Sequence, residues 1–327
     1  MAAEFDLYDR KIVSYIDIDA RLPVAQIAKK VRLSKETVNY KLKRILEGGY
    51  IESFYALVNA SKFGYMYYRV YMKFQNLTEK TEHQIVAFMK GEKSCANLRI
   101  TEGPFDIVFL SMHRNPEELR SFLDDFTDRF GSFLLQKSVN LVIATNKFNL
   151  KIFNNDERRK IRMFHGKPSD FTPDKVDLEI INMLSLNARE KLINMEKKLK
   201  KDTRVISYRI NNLEKKGIIG GYTIELDFEK LGRKFVQVDI SLRKLSLLPQ
   251  ILEFFDRTDT CIYAFEILGK YDLSLEIYPE NDLHLRKVME NFKRRFEGGY
   301  IDYDISHIYR EYILNPSPFH SLEGDLL

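Results

Sequence analysis

The chain opens with apolar residues at helical spacing. Ile12, Val13 and Ile16 share one face of the stretch 6–17, as a short amphipathic helix requires. A second face follows Pro23 with Val24, Ile27, Ala28 and Val31, and a third carries Val38, Leu42 and Ile45. Ser34 stands just before the third, where a side-chain oxygen accepts from the unpaired amides of a first helical turn. Gly49 stands where a glycine ends a helix. Three short helices, the last two joined by a tight turn, make the helix-turn-helix pattern.

The period then changes. After a strand-like run over 50–58 and a hinge at Lys62-Phe63-Gly64, Tyr68, Val70, Met72 and Phe74 alternate with Arg69, Tyr71 and Lys73. This period of two predicts a half-buried strand. The spacing predicts a helix over 79–90, strands over 95–102 and 105–112 around a Gly-x-x-Asp turn, a helix over 116–130 and a strand over 134–144. The order βαββαβ predicts an antiparallel sheet with helices on one face, the ferredoxin-like arrangement. Its open face needs a partner.

The whole pattern occurs twice. An offset of 168 aligns Asp9 to Phe54 with Asp177 to Tyr222 without a gap, and Ser34 and Gly49 meet Asp202 and Gly217. A two-residue deletion then makes the offset 166, which sets Gly103-Pro104-Phe105-Asp106 on Gly269-Lys270-Tyr271-Asp272 and Cys95 on Cys261. Such a period is far too long for a solenoid, so each copy is a complete unit. The fold class expected is α+β: two tandem copies of a winged helix-turn-helix head followed by a ferredoxin-like domain. The heads fall at 1–60 and 173–228, the sheet domains at 61–150 and 229–315, a linker at 151–172 and a tail at 316–327. The linker follows one last strand over 147–153. Its cluster Asp156-Glu157-Arg158-Arg159-Lys160 reads as solvated charge, with a phosphate-touching basic arm as the alternative.

Charge now separates a DNA-binding head from an ordinary three-helix bundle. Residues 20–49 hold eight Lys/Arg and two acids, and residues 188–217 hold ten and four, a net of +6 each. The chain as a whole is only +5, so positive charge is concentrated on both heads, as phosphate binding demands. The third helix presents Lys35, Glu36, Asn39, Tyr40 and Lys43, flanked by Ser34 and Arg44; its counterpart presents Thr203, Arg204, Ser207, Tyr208 and Asn211. Asn39, Asn211 and Arg204 are chemically able to read base edges in the major groove, whereas lysines suit phosphates. The buried positions agree in type between copies and the outward ones differ, so the heads are expected to prefer different half-sites of double-stranded DNA. No apolar run approaches the ~18 residues of a membrane span. The N-terminus lacks a signal peptide's features, and two cysteines make no disulfide framework, which fits a reducing cytoplasm.

Laid out this way, each half resembles the Lrp/AsnC family of bacterial and archaeal regulators. The resemblance rests on Asp9 with Ile12, Asp19-Ala20-Arg21, Ser34 through Ile45 and Gly49-Tyr50-Ile51, and on Asp177 with Ile180, Asn187-Ala188-Arg189, Tyr208-Arg209-Ile210 and Gly217-Ile218-Ile219. It implies a DNA-binding head and a domain for regulation of amino acid metabolism (RAM domain). In that family two such domains pair sheet to sheet, dimers associate further, and an amino acid or related effector binds near the glycine loop. Glu102, Gly103, Phe105 and Asp106, with Leu268, Gly269, Tyr271 and Asp272, would be that neighbourhood. Pro104 stiffens the first loop and Lys270 charges the second, which puts the ligand of one copy in doubt. Family members are usually single-copy, so the fused chain is expected to mimic a dimer, by pairing within one chain or as a homo-oligomer.

Two other readings compete. Siroheme decarboxylases resemble this family in fold, occur as fused pairs, and use histidines and an arginine around the strands that bracket this loop. Here stretches 95–112 and 261–278 contain no histidine, and His83, His113, His165, His284, His307 and His320 fall at non-equivalent positions. No acid–base constellation, cofactor motif or metal-ligand spacing stands out, so no catalytic or metal residue is assigned. Cys95 and Cys261 read as small buried residues at strand starts. The other competitor is a nucleoid-type architectural protein, which basic heads suit equally well.

Overall fold

The computed structural model describes residues 5–153, 161–166 and 168–315. In the first head, α1 (Leu7–Ile18), α2 (Val24–Val31) and α3 (Lys35–Glu47) pack Ile12, Ile16, Ile27 and Val38 together, each fully buried. Asp6 accepts from the Tyr8 and Asp9 amides at 2.8 Å, and the Asp9 carboxylate accepts from the Asp6 amide at 3.0 Å. This reciprocal box satisfies amides that the helix leaves unpaired. The turn between α2 and α3 passes through Arg32 at φ 57°. Ser34 Oγ then accepts from the Thr37 amide at 3.1 Å, and Gly49 follows α3 at φ 67°, the left-handed residue that closes a helix.

Strand β1 (Ile51–Val58) leads to β2 (Met66–Phe74), α4 (Glu79–Gly91), β3 (Cys95–Glu102), β4 (Ile107–His113), α5 (Pro116–Phe130) and β5 (Leu134–Lys147). A short strand β6 (Ile161–Phe164) follows. The same order then recurs: α6 (Lys175–Leu186), α7 (Leu192–Leu199), α8 (Thr203–Lys215), β7 (Ile219–Leu226), β8 (Val236–Leu242), α9 (Leu248–Asp256), β9 (Cys261–Leu268), β10 (Leu273–Ile277), α10 (Asp282–Arg295) and β11 (Tyr300–Ile313).

The two halves face each other across an internal two-fold. The Ala20 amide donates to Tyr222 O (3.2 Å) and the Ala188 amide to Phe54 O (2.8 Å); Asn59 donates to Ile218 O (2.8 Å) and Asp227 to Tyr50 O (3.1 Å). Each contact returns with the roles of the halves exchanged, as in an isologous dimer. Strands β1 and β7 pair antiparallel into a two-stranded ribbon, and both heads share one hydrophobic core around it. Below the ribbon, strands in the order β2-β4-β3-β11-β8-β10-β9-β5 close on themselves through β2–β5. The result is an antiparallel eight-stranded barrel, with β6 added at the end of β5. Helices α4 and α5 cover one flank and α9 and α10 the other.

Barrel closure answers how the open sheets are covered: the two pair within one chain. It also corrects the half-buried reading of residues 68–74. Both faces of β2 are buried, with Tyr68, Val70 and Met72 under α4 and α5 and Tyr67, Arg69 and Tyr71 inside the barrel. The linker differs from expectation too. Instead of a strand over 147–153 the chain bends after Lys147, because Asp17 takes the Lys147 ammonium and accepts from the Leu150 amide at 2.9 Å. A 3-10 turn at Lys151–Phe153 sets Phe153 into the head core, and β6 occupies ground read as loop. The charged cluster 156–160 lies outside the described residues.

A buried polar network fills the barrel. Arg69 donates to Ser274 (2.6 Å) and Glu276 (3.2 Å); Arg99 donates to Glu276 (2.6 Å), Glu311 (2.7 Å) and Gln237 (3.2 Å). Burial opposes the charge on Arg99, but Glu276 and Glu311 outweigh it and raise its pKa. The cations come from the first half and the acids from the second. Under the repeat offsets Arg69 and Arg99 correspond to Gln237 and Phe265, while Ser274, Glu276 and Glu311 correspond to Val108, Leu110 and Thr145. Two first halves facing each other would bury four guanidiniums without a carboxylate, and two second halves would bury carboxylates without a cation. Either costs several kcal/mol per ion, so the charges specify pairing of unlike halves.

Candidate nucleic-acid interface

The cores of the two heads fix which side chains α3 and α8 turn outward. Val38, Leu42 and Ile45, and likewise Ile206, Ile210 and Leu213, are buried. Ser34, Lys35, Glu36, Asn39, Tyr40, Lys43 and Arg44 lie at the surface. On α8, Arg204, Tyr208 and Asn211 are exposed while Thr203 and Ser207 are half-buried, and these five with Leu192 line a shallow hollow. Tyr40 is 69% and Tyr208 72% exposed, at equivalent positions. Asp202 caps α8 by accepting from the Arg204 amide at 2.8 Å, as Ser34 caps α3.

Not every basic residue of these helices is free. Lys41 bonds to Asp6 and Asp9, Arg44 bonds to Asp9, and the equivalent of Lys41, Arg209, donates to Asp174 and Asp177 at 2.8 Å each. Burial would raise the Asp6 carboxyl, but the bond from Lys41 and the nearby amides hold it at about 2. These pairs anchor each recognition helix to the start of its own head. Sequence reasoning missed that role for Lys41 and Arg209; the equivalence of two basic residues on a largely changed surface was the available signal. Arg44, assigned to DNA, is partly engaged by Asp9 while still exposed.

The heads are held to each other as well as to their own cores. Arg21 donates to Ala188 O at 2.6 Å, Arg189 to Leu22 O at 3.4 Å, and Lys230 to Gly49 O at 3.1 Å. Those bonds, the shared core and the β1–β7 ribbon give two recognition helices one fixed separation.

The glycine loops sit at the seams of the barrel. Gly103 (φ 153°) lies so close to β11 that a Cβ would come within 2.7 Å of Ile305 O, and a Cβ on Gly269 (φ 157°) would collide with the Asn140 side chain. Asp106 accepts from the Phe74 amide (2.8 Å) and Lys73 (2.6 Å), and Asp272 from the Leu242 amide (2.6 Å). Phe105 and Tyr271 are buried and both contact the Tyr71 ring. Glu102, Gly103, Leu268 and Gly269 remain at the surface. Lys270 lies 4.7 Å from the Phe105 ring centroid, so the second loop reaches the first.

Cys95 and Cys261 begin β3 and β9 as buried thiols, pushed up by burial. Asp259, Glu280 and His284 converge at the surface, but Arg233 already bonds to both carboxylates at 3.3 and 3.2 Å.

Residues 5–52 match a family model described as winged helix-turn-helix DNA-binding. The HTH-type transcriptional regulator FL11 of Pyrococcus abyssi (strain GE5 / Orsay) is 27% identical over 124 residues, 38% of this chain and 81% of that protein. The proline dehydrogenase transcriptional activator of Rhizobium radiobacter is 30% identical over 106 residues, 32% of this chain and 68% of its own length. The chain belongs to the Lrp/AsnC family of transcription regulators. As an Lrp/AsnC-type regulator it binds DNA through a helix-turn-helix. The siroheme decarboxylase NirDL superposes over 96% of each chain with a TM-score of 0.65 at 11% identity. At that identity the likeness shows the fold alone.

Proposed function

We propose that this Lrp/AsnC-type chain is a sequence-specific regulator that reads an asymmetric operator with two unlike heads, under the control of an amino acid or related small molecule. One observation carries the reading: α3 and α8 are held in one rigid double head yet expose different chemistry at equivalent positions. Lys35, Glu36, Asn39 and Lys43 face Thr203, Arg204, Ser207 and Asn211 across the repeat. In a symmetric dimer both heads must read the same half-site. A fused chain is released from that constraint, and these residues have used the release while the buried ones have not. An Arg or Asn at a base edge supplies discrimination, and lysines on phosphates supply position.

Residues 102–106 and 268–272 are the proposed effector neighbourhood. An effector would be met at Glu102, Gly103, Leu268 and Gly269, and it would bear on the seams where each loop backs onto the opposite half. The reading is non-catalytic. His113 is buried beside Phe122, His165 bonds to Thr145 and Asn59, and burial lowers both to about 4, so both imidazoles are neutral near pH 7.

Gel shifts with the DNA upstream of the chain's own gene, against scrambled DNA at two salt concentrations and with a pool of amino acids, test this function. Preference for the upstream site that survives added salt and responds to the pool is expected. Binding that ignores sequence and collapses with salt identifies an architectural protein instead.

A further inference from the structure

A cavity of about 530 Å³ lies between the β1–β7 ribbon and the end of the barrel nearest the heads. That volume is typical of small-molecule sites, which favour the mouths of barrels. Its walls are unlike the glycine loops. Tyr55, Tyr263, Phe265 and Tyr278 contribute aromatic surface, and the Tyr55 and Tyr263 hydroxyls bond to each other at 2.7 Å. Glu225, Glu311 and Glu52 line both this cavity and a polar groove of about 620 Å³ that opens beside it.

The balance of charge in the cavity is one-sided. Among the described residues Arg99 is the cation on its wall, and Glu276 and Glu311 already take it. In the outer groove Arg233 is paired with Asp259 and Glu280, Lys234 is paired with Asp282, and Arg310 bonds to the Tyr312 hydroxyl. Glu225 is different. No described residue donates a hydrogen bond to it, and the residue is half-buried with its carboxyl on the wall shared by the cavity and the groove. Burial, then the charges of Glu311, Glu276 and Glu52, push that carboxyl up to about 8 against the opposing charge of Lys147, which Asp17 already pairs. A half-buried carboxyl with no protein donor stands out beside barrel arginines that are so fully paired.

We infer that this cavity binds an organic amine, a cation on an aromatic or apolar body without a carboxylate of its own, with its ammonium bonded to Glu225. The ammonium supplies the missing donor and offsets the surplus of acids, and aromatic faces attract a cation further. A carboxylate-bearing ligand would meet Glu52, Glu225 and Glu311, while Arg99, the one arginine among the described residues of the wall, is already taken, which separates this site from an amino-acid effector at the loops. The ribbon that joins the two heads forms the roof of the cavity, so an occupant touches both the barrel and the heads. Its value as a second input to DNA binding rests on the regulator reading, but its existence does not.

The test therefore uses the full chain without DNA. Thermal unfolding and calorimetry would be run with millimolar tyramine, tryptamine and agmatine, and with 4-hydroxyphenylacetate, indole-3-acetate, tyrosine and tryptophan as charge-altered counterparts. At least one amine is expected to raise the unfolding temperature saturably while its carboxylate and amino-acid counterparts do not. Glu225→Gln, near-isosteric with the protonated acid, should weaken that amine about tenfold or more by loss of a charge-assisted bond. Glu52→Gln, an exposed change that leaves packing intact, should weaken it about two- to threefold, within the range of an exposed charge. Protection by carboxylates equal to that by amines, no protection by any amine, or amine binding unchanged in both variants would overturn the assignment.

Discussion

The Tyr71 hydroxyl donates to the Asp239 carboxylate at 2.8 Å, and the two residues hold the same place in their respective halves, 168 positions apart. In a symmetric dimer one residue type would meet itself there. In this chain a phenol meets an acid whose pKa is raised by burial. Tyr71→Phe keeps the ring contacts to Phe105 and Tyr271 and removes one donor, leaving Gln237 and Ser274 beside Asp239. Urea unfolding should show a loss of about 1–3 kcal/mol, the cost of a buried acceptor deprived of a partner. No loss would mean that this contact contributes nothing to the pairing of unlike halves.

The arginines inside the barrel carry the stronger form of that argument. Arg99→Met leaves Glu276 with Arg69 alone and takes from Glu311 its cation, and should cost about 3–5 kcal/mol. Adding Glu276→Gln and Glu311→Gln to Arg99→Met should recover a large part of the loss, because the buried charges are removed together. Additive losses in the combined variant would show that packing, not charge complementarity, sets the effect.

Anchoring and reading residues should separate on one helix. Arg209→Ala breaks the pairs with Asp174 and Asp177 and should lower stability while leaving the base preference of the bound site unchanged. Arg204→Ala, fully outward on the same helix, should relax preference at one half-site by about 1–3 kcal/mol and leave stability alone. Competition binding with single-base variants of the operator reads the preference, and denaturant unfolding reads the stability. An exchange of the two phenotypes would reverse the roles of Arg209 and Arg204.

Stability should fall between about pH 4.5 and about pH 8 for a reason that can be removed. Unfolded Glu225 loses its proton near its ordinary value of 4.5, whereas the folded protein holds it to about 8. The folded state therefore binds more protons between these values, so stability decreases as pH rises from about 4.5 to about 8 and then levels. His113 and His165, both lowered to about 4 by burial, act in the opposite direction: their contribution is present above about 6.5 and is lost as pH falls to about 4. Glu225→Gln should gain on the native chain progressively from pH 5 to pH 8, measured by denaturant midpoint. Parallel curves for the two proteins would contradict a raised Glu225 carboxyl in the folded state.

Local features were legible in the sequence because local physics makes them. The caps at Ser34 and Asp202, the left-handed glycines 49 and 217, and the periods that place Val38 or Val70 inward depend on near neighbours alone. The repeat made the two-fold arrangement legible as well. Arg69 and Tyr71 read as the wet face of a strand, since nothing near them announces that Ser274, Glu276 and Asp239 will lie opposite. Lys41 and Arg209 receive no role from the sequence, because the acids that take them lie 32 to 35 residues earlier. Strand β6, four residues long, exists only through its pairing with Ala144 to Lys147. In each case the missing information was a partner distant in sequence.

The central claim, two unlike recognition helices at one fixed separation, is tested most directly by selecting binding sites from random duplex DNA with the intact chain. The account predicts a consensus of two different half-sites at a single spacing, with Arg204→Ala degrading one half and Asn39→Ala the other. A palindromic consensus, or none at all, would contradict it.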